Sequence, residues 1–196
     1  MGKVFMQKII QKSVLSLFAI LPVVTWAHPG HHHHTEANFW TGFVHPFTGL
    51  DHFMMALALG VLLWKVATQW RVIGILGLAV ALVGGFALGA AQVLPSTVTE
   101  YGILASLAVL AIAMLKKTSS IFVLSTLALA AFHGMAHGAE LGMAGQVAQQ
   151  IVGMLAAMLM ILALGLGVGA FIQRFVPQGE KILAAGLVIV AVLGLA

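Results

Sequence analysis

The chain has 196 residues, of which 61% are hydrophobic and only 7% charged, with a formal net charge of +4 and no cysteine. About 25% charged residues is usual in soluble domains, so this composition excludes a soluble enzyme and describes an integral membrane protein. Without cysteine there is neither disulfide nor thiolate chemistry, and the basic residues are scattered between apolar segments, which excludes a nucleic-acid surface.

Lys3, Lys8 and Lys12 precede an apolar run from Val14 to Val24, and Thr25-Trp26-Ala27 offers a small-residue cleavage site. This is the layout of a secretory signal peptide over residues 1–27, with a retained anchor as the competing reading. Cleavage after Ala27 leaves His28 as the new N-terminus, where its free amine and imidazole can chelate a metal together. Residues 28–38 then form a polar arm that includes His31, His32, His33 and His34. Such tracts bind metals by composition, so the arm reads as a low-specificity metal collector on the periplasmic side; an engineered tag is the bland alternative.

Six apolar segments follow within residues 39–196, at 42–64, 72–93, 99–115, 120–141, 149–173 and 180–196. Each approximates the ~20 residues that cross a bilayer. The expected fold is all-α: a polytopic membrane bundle of six transmembrane helices after a cleaved signal peptide. Lys65 and Arg71, Lys116 and Lys117, and Arg174 and Lys181 fall in alternate connections, while the connections near Pro95–Glu100 and Glu140–Gln150 carry no Lys or Arg. With a periplasmic start, every basic residue after Ala27 faces the cytoplasm, as the positive-inside rule requires. Both mature termini are expected outside.

The first span carries His45-Pro46-Phe47-Thr48-Gly49-Leu50-Asp51-His52. Titratable side chains are costly in lipid and face a bundle interior or a wet cavity. On an unbroken helix Asp51 would stand about 100° from His52, so a break between Pro46 and Gly49 is expected to let His45, Asp51 and His52 converge. A kink whose polar groups merely satisfy one another is the competing structural reading. The fourth span carries Phe132-His133-Gly134-Met135-Ala136-His137-Gly138-Ala139-Glu140. His133, His137 and Glu140 are spaced i, i+4, i+7, which puts them within roughly 60° on one helix face, a ready divalent-metal edge. The alternating topology places both clusters toward the outer ends of their spans, where they can meet.

His45–His52 resembles the HPxxGxDH signature of the HupE/UreJ family of nickel/cobalt permeases, and Phe132–Glu140 resembles that family's second signature. The likeness extends over nearly the whole chain. It implies secondary transport or facilitated passage of Ni²⁺ or Co²⁺ across the bacterial inner membrane, serving hydrogenase, urease or cobalamin pathways. It also implies downstream nickel or cobalt chaperones as partners. The spacing by itself delivers less: an intramembrane divalent-metal site with His45, Asp51, His52, His133, His137 and Glu140 as ligands, and His28 as an outlying one.

Imidazole and carboxylate suit Ni²⁺, Co²⁺ and Zn²⁺, and the lack of cysteine argues against a dedicated Cu(I) site. The ion is cargo, and no prosthetic group is expected. Membrane lipid and a homo-oligomer are compatible partners. Two further readings stay open: a membrane zinc hydrolase, for which no nucleophile or oxyanion donor is recognisable, and a metal-binding accessory or sensor subunit. Gly85-xxx-Gly89 and Gly165-xxx-Gly169 suggest close helix packing. Met54, Met55, Met135 and Met143 read better as adaptable packing than as soft ligands. Glu100 and Glu180 read as solvated loop charges.

Overall fold

A computed structural model describes residues 38–116, 119–141 and 147–194. Among them the chain is all-helical, with α1 Phe39–Thr48, α2 Leu50–Trp64, α3 Thr68–Ala90, α4 Ser96–Lys116, α5 Ser119–Leu141, α6 Val147–Phe175 and α7 Gly179–Leu193. Three helical stretches are each long and apolar enough to cross a membrane: Thr68–Ala90, Ser96–Leu115 and Val147–Phe175. The pair α1 and α2, bent by 80°, makes a fourth if it counts as one broken span. The expected signal peptide and histidine arm lie outside the described residues.

The first expected span is thus two helices. Asn38 caps α1: its side chain accepts from the Trp40 and Thr41 N–H groups at 2.8 and 3.0 Å, and Thr41 Oγ1 accepts from the Asn38 N–H. This reciprocal box satisfies donors that the first helical turn leaves open. The break falls at Gly49 (φ −82°, ψ 111°), whose extended backbone ends α1 and begins α2. Pro46 stays inside α1 and His45 stays helical. Pro46 has no N–H to give the Gly42 carbonyl one turn back, so α1 forgoes one of its own hydrogen bonds there.

Helix α2 is the centre of the molecule. Every residue from Met54 to Leu63 is buried, and the helix touches α1, α3, α4, α6 and α7. Tight packing requires backbones to approach, and glycines permit it. A Cβ on Gly60 would strike the Leu162 carbonyl of α6, and one on Gly165 would strike the Leu57 carbonyl of α2. The same reciprocity joins Gly42 of α1 to Gln150 of α6 and Gly153 to Phe39. Helix α6 therefore braces both arms of the bent pair.

Helices α3 and α5 form the second tight pair. Gly85 and Gly89 meet the carbonyls of Ala131 and Met135, while Gly134 and Gly138 meet those of Leu82 and Phe86. Helix α4 packs between α5 and α7. Met54 and Met55 lie buried in the core, with the Met54 methyl against Gly186 of α7, as the packing reading anticipates. Leu76, Val80 and Val83 of α3, and Met160, Leu164 and Phe171 of α6, point outward as an apolar face suited to lipid.

At the end of α2 remote from Gly49, Arg71 closes the helix. Its Nε donates to the Val66 carbonyl at 3.0 Å and its Nη2 to the Trp64 carbonyl at 2.8 Å. Lys65 pairs with Glu180 of α7. Glu180 is therefore a helix-to-helix contact, not the solvated loop charge expected, whereas Glu100 is exposed as anticipated.

Candidate metal centre

The 80° bend has a direct chemical consequence. His45 stands in the last turn of α1, and Asp51 and His52 in the first turn of α2. The two helix ends turn inward together, so the His45 and His52 rings lie 4.9 Å apart in an edge-on arrangement. Helix α5 supplies the other wall. Its glycine face is held against α3 through Gly134 and Gly138, which turns the neighbouring face, bearing His133 and His137, toward α2.

Of the seven sequence-predicted positions, five can be followed to their side chains. His45, Asp51, His52, His133 and His137 come together, and His133, His52 and His137 are 0%, 3% and 3% exposed. Glu140 belongs to the last turn of α5, but its side chain lies outside the described atoms. His28 lies outside the described residues altogether.

The five side chains form two overlapping groups, His45–His52–His137 and Asp51–His52–His133, each with ligand atoms within 4.8 Å of one another. His52 belongs to both. Its Nδ1 lies 3.0 Å from Asp51 Oδ1 and its Nε2 2.7 Å from His137 Nε2. The other carboxylate oxygen, Asp51 Oδ2, lies 3.3 Å from His133 Nε2. Asp51 therefore bridges two imidazoles, one with each oxygen.

Proton placement follows from the acceptors. The carbonyl of Leu129 can only accept, so His133 Nδ1–H donates to it at 2.9 Å. In the neutral ring this leaves a lone pair on Nε2, which faces the carboxylate and makes no hydrogen bond. Two electron-rich atoms facing each other in a buried site need a proton or a cation between them. Likewise, His52 Nδ1–H donates to Asp51, which frees Nε2 as an acceptor toward His137. Two nitrogens bound at right angles to one metal stand about 2.9 Å apart for bonds of about 2.0–2.1 Å. The 2.7 Å spacing between His52 and His137 is close to that value. A carboxylate behind a ligating imidazole is also the usual means of fixing its tautomer and orientation.

Neutral nitrogen donors with one carboxylate make a donor set suited to divalent nickel, cobalt or zinc. The Leu129 carbonyl, which fixes the His133 tautomer, is the contributor that sequence reasoning misses; a backbone atom leaves no residue-type signal.

A family model described as HupE / UreJ protein matches residues 15–196. The chain belongs to the HupE/UreJ family. Protein HupE of Rhizobium leguminosarum bv. viciae is 29% identical to it over 177 residues, covering 87% of this chain and 89% of the relative. No solved structure matches. The HupE/UreJ match spans both histidine clusters and every described helix, so the centre lies inside the family's shared region.

Proposed function

We propose that this HupE/UreJ member carries Ni²⁺, or alternatively Co²⁺, across the bacterial inner membrane by secondary or facilitated transport through the His/Asp centre. One observation carries the reading: two ligand groups share the buried His52 inside an apolar bundle, each with two buried histidines and one partly exposed member, His45 or Asp51, and Asp51 brings negative charge to its group. A bare divalent cation in a low-dielectric interior needs nearby anionic charge, and Asp51 with Glu140 supplies it. Neutral imidazoles add coordination without excess charge, so the ion is held weakly enough to leave. Two groups joined through one residue suit a short relay better than a single closed trap.

In this reading residues 1–27 are a signal peptide, 28–38 a periplasmic collecting arm headed by His28, and 39–196 a six-span transport domain with both mature ends outside. A zinc hydrolase has less support. Asp51, the carboxylate among the described side chains at the centre, accepts from His52 with Oδ1 and holds Oδ2 3.3 Å from His133 Nε2 across a gap suited to a cation, which is a poor place for a free general base. Counterflow of radioactive nickel in proteoliposomes containing only the purified chain tests the proposal. Accumulation that depends on internal unlabelled nickel is expected. Absence of counterflow, with intact nickel binding, would leave an accessory or sensor role instead.

A further inference from the structure

Among the polar groups of helix α5 that the metal centre does not use is Thr126. Thr126 is 4% exposed, and its Oγ1 makes no hydrogen bond. Other hydroxyls in these helices bond back to the preceding turn: Thr48 to the His45 carbonyl, Thr99 to the Ser96 carbonyl, and Ser106 to those of Gly102 and Ile103. That back-bond is the ordinary way to bury a threonine in a helix. Thr126 forgoes it, and an unmade hydrogen bond in a dry interior is costly.

Its position gives the hydroxyl a use. Thr126 precedes His133 by seven residues, so the two share one face, about 20° apart, with an axial separation of about 10 Å. Between the two levels stand Ala130, about 40° round from Thr126, and Leu129, about 60° round on the other side, both buried. Because α5 leads from Thr126 up to His133, the hydroxyl lies deeper along the helix than either ligand group, on the side away from Glu140.

We propose that Thr126 is the next oxygen ligand of the permeation path, receiving a partly hydrated divalent cation from the Asp51–His133 end of the centre. The inference rests on the transport reading. A neutral hydroxyl is a weak ligand, which suits a waypoint: it offsets part of the lost hydration without trapping the ion. No covalent step is involved, and the ion keeps its charge throughout.

The test compares Thr126→Val, which keeps the shape and deletes the hydroxyl, with Thr126→Ser, which keeps the hydroxyl. Equilibrium Ni²⁺ binding and thermal unfolding are measured on the purified full chain, and nickel counterflow in proteoliposomes. Thr126→Val should bind nickel within about twofold of the parent, unfold at an equal or higher temperature, and transport about tenfold more slowly, the loss expected for one missing interaction of hydrogen-bond strength. Thr126→Ser should transport within about twofold of the parent. Parental transport by Thr126→Val, equal failure of both variants, or loss of binding together with stability overturns the waypoint. If the parent binds nickel but shows no counterflow, the transport reading itself fails, and the waypoint with it.

Discussion

His52 is the residue on which the centre turns, because its two nitrogens face different partners 3.0 and 2.7 Å away. Replacing it by alanine removes a ligand from both groups at once and should nearly abolish nickel uptake while the protein still inserts. Asp51→Asn keeps the shape but loses the charge that serves His52 and His133; nickel affinity should fall about 10–100-fold, as for other lost partners of metal-binding imidazoles. His133→Ala and Glu140→Gln should transport as poorly, whereas substitutions of buried Met54 or exposed Glu100 should do far less. Uptake at limiting nickel by purified, reconstituted variants measures this, and normal uptake by both the Asp51 and His133 variants would falsify the shared site. Protons should compete with the ion. Ligation needs neutral imidazole, so acid strong enough to protonate the buried rings should release the ion.

At the scale of helices, adjacent glycines differ sharply. A Cβ on Gly84 would meet nothing within 4 Å, whereas one on Gly85 would meet the Ala131 carbonyl. Gly84→Ala should therefore be neutral or stabilising by about 0.5–1 kcal/mol, from the better helix propensity of alanine. Gly85→Ala must push α3 off α5 and should cost about 1–3 kcal/mol. Gly134→Ala collides with Leu82 and sits next to His133, so it should lower nickel affinity as well as stability. Thermal unfolding and nickel titration in detergent separate the three variants. Equal behaviour of the Gly84 and Gly85 variants would show that the close approach of α3 and α5 is not required. The glycines thus do more than allow packing: they set the rotation of α5 that turns two histidines toward α2.

For the whole molecule, the alternation of basic and non-basic connections predicts that both mature ends lie in the periplasm. A reporter active only in the cytoplasm, fused after Ala196, should be silent, and a strong signal would make the span count wrong by one. The His28–His34 arm is expected to concentrate ions outside the path without forming part of it. Deleting His31–His34 should weaken uptake at scarce nickel and leave saturating uptake nearly intact; complete loss in a correctly inserted protein would place the arm inside the essential site.

The apolar helical fold and the residues His45, Asp51, His52, His133 and His137 that come together were legible in the sequence, because each depends on residue type at a local spacing. Apolar runs, the HxxxH turn of His133 and His137, and the glycine in His45–His52 report on what a segment can do by itself. Even the convergence of His45, Asp51 and His52 could be anticipated, although not that the break would fall at Gly49 while Pro46 remained helical. What only the tertiary structure decided is which atoms meet. The bridging of His52 and His133 by the two oxygens of Asp51, the 2.7 Å approach of His52 to His137, the tautomer set by the Leu129 carbonyl and the Lys65–Glu180 pair all join separate segments or use backbone atoms. Such contacts depend on helix rotation and separation, and here those are fixed by backbone-to-backbone packing at glycines, a relation between distant residues that no local pattern encodes.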